Sequence, residues 1–206
     1  MAIATPLAPS ALAVIRVSGE SSVELLARCF SRPAALREAA GHTIHHGTIR
    51  DTGGEPVDEV LVAVYRAPRS YTGEESAEVF CHGSPAGVRR LYRVLLEAGF
   101  AAAAPGEFTR RAFTNGKLDL TRAEAVNEIV QAQTATAHAL ALERLGGGVE
   151  RVALELREEL VQVMAQLAIQ VDYPEEETGA VDVDAGRLRR VAVRARKLAS
   201  TFARGR

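Results

Sequence analysis

Tryptophan is absent from the 206 residues, and aromatics of every kind make up only 5%. Cysteine is scarcer still. Cys29 and Cys81 are too few for a disulfide framework or a self-contained zinc site, which suits a reduced compartment. No apolar run reaches the length of a membrane span, and Met1 is not followed by a basic n-region and a sustained apolar h-region. The expectation is a cytoplasmic protein with no membrane association. Charge of one sign is lacking too: formal net charge is −1 and pI about 6.5, so no bulk field marks a nucleic-acid binder. Among 25 basic residues only Lys117 and Lys197 are lysines. In so arginine-rich a chain, a lysine gives weak support for a place where a compact ammonium serves and a planar fork does not.

What is present suffices for a core: 47% of residues are apolar and 25% charged. The length suits one large domain or two small ones. The chain is organised around Pro105 to Thr121, which reads as neither a good helix nor a clean strand. Pro105-Gly106 and Asn115-Gly116 are turn dipeptides. Around them Glu107, Arg110, Arg111, Lys117 and Asp119 interleave with Phe108 and Phe113. Short strands and helices precede this stretch and only long helices follow, so it is either a site at the junction of two architectures or an interdomain linker.

Ala11 to Val17 reads as a buried strand in which Arg16 is the only charge. A guanidinium there reaches solvent, an internal carboxylate or an anionic ligand. Ser21-Ser22 can cap a short helix with Val23, Leu26, Ala27 and Phe30 on one face. His42 to Asp51 and Val57 to Tyr65 alternate as strands around a hairpin turn, Asp51 to Pro56. His42, His45 and His46 suggest a metal by count, but His45 and His46 are neighbours in a strand and point to opposite faces, so no metal site is expected. Pro68 to Glu75 is a loop, and Ala77 to Cys81 a strand. Glu78 lies beside Phe80, on the face opposite Ala77, Val79 and Cys81. That carboxylate needs a partner if both faces are covered, and is solvated if one is wet. Cys81-His82-Gly83 is not a nucleophile elbow, and no catalytic residue is assigned. Gly83-Ser84-Pro85 opens a helix running to Gly99.

The first 118 residues therefore form an α+β domain, a mixed sheet with packed helices, and residues 119–206 an all-α domain. Thr121 and Glu124 make a capping box for a helix running to the Gly146-Gly147-Gly148 break. A second long helix carries Val149, Val152, Leu156, Leu160, Val163, Leu167 and Val171 as its seam. Glu175-Glu176-Glu177, Asp182 and Asp184 form a solvated connector. The last helix has Leu188, Val191, Ala195, Leu198 and Phe202 on one face and arginines elsewhere. It either docks by its seam or meets an anionic partner such as RNA.

Several stretches together resemble the MnmE (TrmE) family of tRNA-modification GTPases. They are Ile15-Arg16-Val17-Ser18-Gly19; Ser70-Tyr71-Thr72-Gly73-Glu74 leading to Glu78 and His82-Gly83; Pro105 to Val126; and Asp172-Tyr173-Pro174-Glu175-Glu176. They run in family order and cover nearly the whole chain. Two departures stand out. The family's Gly/Arg-rich loop reads Leu7-Ala8-Pro9-Ser10-Ala11 here, and Ser84 replaces a second glycine.

The resemblance implies a tetrahydrofolate-binding α+β domain that takes 5-formyl- or methylene-tetrahydrofolate, with Arg16, Glu78 and Lys117 as folate contacts. It further implies a homodimer through that domain, an MnmG-type flavoprotein and tRNA as partners, and a one-carbon unit destined for C5 of a wobble uridine. GTP, potassium and magnesium belong to the family's GTPase domain. No Gly-x-x-x-x-Gly-Lys-Ser/Thr loop occurs here, since Gly116-Lys117 is followed by Leu118, so this chain alone is not expected to bind or hydrolyse GTP. The rival expectation, motivated by the altered loop, is a docking and dimerisation scaffold with a decayed folate pocket.

Overall fold

The computed structural model describes residues 1–172 and 185–202. The acidic connector, Glu175 to Asp184, lies outside the described residues, as does most of the Asp172 to Glu176 motif. The chain divides into two compact units, Met1–Ala123 and the residues from Glu124 onward.

The first unit is built on five strands: β1 (Ala2–Ile3), β2 (Ser10–Ser18), β3 (Thr43–Arg50), β4 (Pro56–Tyr65) and β5 (Ser76–Gly83), in the order β1-β2-β5-β4-β3. The sheet was expected to be mixed, but each of its four pairings is antiparallel. The reason is topological. β5 inserts between β2 and β4, which share a direction, and so separates the strands that could have paired in parallel.

Alternation then sorts the side chains. Ala13, Ile15 and Val17, Val60, Val62 and Val64, and Ala77, Val79 and Cys81 are buried on one face. Helices α1 (Ser22–Cys29) and α3 (Pro85–Glu97) pack against strands of this sheet. They contribute Val23, Leu26, Val88, Leu91 and Leu95 to the same core. Between α1 and β3 lies the short α2 (Pro33–Arg37). The opposite face of the sheet carries Leu12, Ile44 and Leu61, which are exposed. His45 is half-buried and His46 exposed, as their opposed directions require, and no group of three or more potential metal ligands occurs among the described residues.

The central stretch departs from expectation, for it contains a helix, α4 (Glu107–Thr114). Its C-terminus is a Schellman cap. Lys117 N donates to Ala112 O at 2.8 Å and Gly116 N to Phe113 O at 3.0 Å, with Gly116 at φ 69°. The Asn-Gly dipeptide is thus a helix stop. Eight residues rich in Phe and Thr give too short and weak a periodicity to reveal the helix before it.

The following helix, α5 (Leu120–Gln131), starts two residues earlier than the Thr121–Glu124 box suggested. Asp119 Oδ1 accepts from Arg122 N at 3.0 Å, and the Asp119 carbonyl accepts from Ala123 N at 2.9 Å. Aspartate is the stronger N-cap, which leaves Thr121 inside the first turn. Asp119→Ala is expected to destabilise this helix by about 1 kcal/mol, read as loss of hydrogen-exchange protection over its first turn.

In the second unit the helix expected to run unbroken to Gly146 is two. After α5, residues 132–134 leave helical conformation and α6 (Ala135–Leu145) begins anew. Thr134, with ψ 150°, accepts from Ala137 N through its side chain at 3.1 Å. Apolar spacing crosses the break without Gly or Pro, so only the Thr134 cap betrays it. Then come α7 (Gly148–Asp172) and α8 (Ala185–Phe202). Leu156, Val163 and Val191 are buried, and Arg194 pairs with Glu155 at 2.7 Å and with Glu159. The terminal helix therefore docks on α7, although Leu188, Leu160 and Leu167 of the expected seams stay exposed. No helix among the described residues is long and apolar enough to cross a membrane.

Candidate functional site

Where β2 meets β5, the open face of the sheet carries a charged pair. In β2 and β5, Arg16 stands directly opposite Glu78, and Glu78 has Ala63 of β4 on its other side. Arg16 Nε donates to Glu78 Oε1 at 2.9 Å, and its Nη2 lies 2.7 Å from the same oxygen. The two residues lie 62 apart in sequence and are brought together by strand register alone. Both bonds use Oε1, which leaves Oε2 available to another donor. The Arg16 guanidinium also lies over two rings, with its central carbon 5.6 Å from the Tyr71 centroid and 5.7 Å from that of Phe108, within cation–π range.

These groups line a cavity of about 190 Å³, completed by Ser18, Tyr65, Thr72 and Ser76. The sheet forms its floor. The loop after β4 supplies Tyr71 and Thr72, and α4 supplies Phe108. Burial is the main cause that pushes the Tyr65 phenol up, helped by the Glu78 charge, so it stays a hydrogen-bond donor at neutral pH.

The loop is held at its base. Arg66 Nη1 donates to Glu75 Oε2 at 2.7 Å, and Ala67 N donates to Glu75 Oε1 at 3.2 Å. The segment Glu107 to Lys117 holds its tip. Tyr71 Oη and Thr109 Oγ1 share a hydrogen bond of 2.9 Å, and Asn115 Nδ2 donates to Thr72 O at 2.8 Å. Lys117 Nζ donates to Pro68 O at 3.0 Å, and its stem lies against Gly73, where an added Cβ would come within 3.3 Å of Lys117 Cγ. Gly73 sits at φ 78°, so a side chain there would be both strained and crowded.

Of the three residues the resemblance pointed to, Arg16 and Glu78 share the cavity. Lys117 does not line it, and its ammonium instead ties down the loop that does. Tyr71, Thr72 and Phe108 lay inside the quoted motifs without being singled out as site residues. Their signal was weak but present: in so ring-poor a chain, Tyr71 and Phe108 each sit in a polar stretch. Ser18 also lay inside a quoted motif, while Tyr65 and Ser76 gave no signal beyond their strand positions.

The cavity offers a carboxylate oxygen, guanidinium N–H groups and two aromatic faces. It therefore suits a flat heteroaromatic ring that presents donors and an acceptor on one edge. A dry cavity of roughly 150 Å³ accepts benzene, so this one has room for a ring of at least that size.

Residues 1–117 match the family described as GTP-binding protein TrmE N-terminus, and residues 120–206 match the MnmE helical domain. The chain is 50% identical over 177 residues to the tRNA modification GTPase MnmE of Treponema denticola, an alignment covering 85% of this chain and 38% of that protein. It is 48% identical over 174 residues to that of Borrelia turicatae, covering 84% and 38%. With the MnmE of Treponema pallidum it shares 45% identity over 199 residues, covering 96% and 40%. The chain thus spans about two fifths of the length of these relatives. With an α+β unit and a helical unit each matching in turn, the chain belongs to the MnmE (TrmE) family.

Proposed function

We propose that this chain is the folate-binding, dimer-forming part of an MnmE-type protein that modifies the wobble uridine of tRNA. The observation that carries the reading is the Arg16–Glu78 pair, with Arg16 over the Tyr71 and Phe108 rings in a cavity of about 190 Å³. A pterin presents adjacent N–H donors beside a ring carbonyl. Glu78 would accept from the donors through Oε2, and Arg16 would donate from Nη1, which takes no part in the Glu78 bonds. Tyr71 and Phe108 would cover the ring and keep water off these bonds. Lys117 would act on a bound folate by leaving Pro68, or through the loop it holds. A 5-formyl- or methylene-tetrahydrofolate supplies the one-carbon unit for C5 of the uridine. The names of the relatives support GTP-dependent tRNA modification as the wider setting. An MnmG-type flavoprotein and tRNA are its partners. The open sheet face, with Leu12, Leu61 and Ile44 exposed by 60, 44 and 65%, supports a homodimer.

A second reading, a docking scaffold without folate affinity, is favoured by one observation, that the Lys117 ammonium is spent on a backbone carbonyl. Calorimetric titration of 5-formyltetrahydrofolate into the full chain separates the two. Saturable binding at micromolar ligand is expected; millimolar or undetectable affinity would leave the scaffold.

A further inference from the structure

Arg111 does not line the cavity, yet its fork joins the two segments that wall it. On α4, its Nε and Nη2 donate to Glu107 Oε1 at 3.0 and 2.7 Å. Toward the Tyr71 loop, its Nη1 donates to both oxygens of Glu74 at 3.3 Å. Glu74 Oε2 accepts from Ser18 Oγ at 2.8 Å, and Ser18 Oγ and Thr72 Oγ1 share a hydrogen bond of 2.6 Å. The chain of contacts thus ends on two residues of the cavity wall. Glu107 is held below the usual carboxylate range, first by the Ala104 N–H and then by Arg111. The guanidinium therefore has a carboxylate on each side, one from the helix that bears Phe108 and one from the loop that bears Tyr71. Take it away, and the two carboxylates lose the cation that bridges them, each keeping only partners of its own: the Ser18 hydroxyl for Glu74, and the Ala104 N–H with the charges of Arg110 and the Met1 ammonium for Glu107. The remaining side-chain ties, Tyr71–Thr109, Asn115–Thr72 and Lys117–Pro68, bring no second ion pair to that joint.

We propose that Arg111 is a positioning residue: by bridging Glu74 and Glu107 it sets the gap between the Tyr71 loop and the Phe108 helix, so that both rings close on Arg16. Lysine replaces it only in part, because an ammonium keeps the charge but lacks the planar fork that here gives each carboxylate its own N–H groups. Only the ligand-affinity consequence rests on the folate reading; the placement of the rings does not.

The test has two readouts on the full chain. The first is the Arg16 Nε–H resonance, shifted by the ring currents of Tyr71 and Phe108 and slowed in exchange by its bond to Glu78. Arg111→Met is expected to move it toward the free-arginine position, and Arg111→Lys to do so in smaller measure. The second is affinity for 5-formyltetrahydrofolate, expected to fall about tenfold in Arg111→Met. In a Phe108→Leu background the same change is expected to cost clearly less, about threefold or under, since one of the two rings it places is gone. An unmoved Arg16 resonance overturns the proposal, as does an equal loss of affinity in both backgrounds. If Arg111→Met does not fold, Arg111→Lys is decided by the same two measurements. If the resonance moves as expected while the unaltered chain binds no folate, the positioning role stands and the folate reading falls.

Discussion

Arg16→Met and Glu78→Gln are each expected to weaken 5-formyltetrahydrofolate binding by about 10- to 100-fold, from the worth of one or two charge-assisted hydrogen bonds. Both substitutions nearly keep volume, so the cavity is not refilled by neighbours. Glu78→Gln removes the charge that orients Arg16 and turns half of the acceptor edge into a donor, which faces the N–H groups of a pterin with the wrong polarity. Arg16→Met removes the cation beside Tyr71 and Phe108 but keeps an apolar stem against the rings, so the donors are lost with little change in packing. At 36 and 20% side-chain exposure, the pair is too accessible for either change to unfold the domain. Hydrogen exchange in β2 and β5 should change little, and calorimetry should show the loss in affinity. Lys117→Ala provides the internal comparison. With its ammonium on Pro68 O, it is expected to cost less than Arg16→Met. An equal cost would mean that the ammonium leaves the carbonyl for the ligand. Variants of Arg16 and Glu78 that bind as well as the unaltered chain would end the folate assignment.

The largest effect on stability is expected from Leu91→Ala. Leu91 lies in the middle of α3 with no exposed surface, between the buried Val88 and the buried Leu95. Truncation there loses the transfer energy of three carbons and leaves a void that the stiff β-branched side chains of the sheet cannot fill, costing about 2–5 kcal/mol. Whole domains are stable by only about 5–15 kcal/mol, so the variant removes a large share. With two compact units in one chain, a single unfolding midpoint is not a well-defined quantity. The measurement is therefore native-state hydrogen exchange at Val62 and Val79, in central strands of the first unit. Leu96→Ala on the same helix, at a position 41% exposed, is the control and should stay within about 0.5 kcal/mol. Equal losses at the two positions would contradict the burial pattern.

Much of the fold was legible. The period-2 signals of β3, β4 and β5 and the Asp51–Pro56 turn fell where expected, because one buried face imposes alternation along each strand, and β2, read as a buried apolar run, alternates in the same way. The long helix α7 announced itself by length. The errors lay where local signals compete. Asp119 displaced Thr121 as the cap, Thr134 split a helix whose apolar spacing continued, and α4 was too short to register. The first two turn on which side chain caps a helix and the third on too few residues to show a period, and hydrophobic periodicity reports neither.

The site divides in the same way. By itself the sequence determined that Arg16 and Glu78 lie in strands otherwise apolar on their buried face, and that the chain has the motifs of its family. It did not determine that the two meet. That required β5 to lie beside β2, a pairing set by the whole sheet. Nor could it say that Tyr71 and Phe108 close on Arg16 while Lys117 turns to Pro68. Alternation along a strand is a local steric fact and survives in any sheet, whereas partners and cavities arise only when segments far apart in sequence are packed together. The tertiary structure decided those.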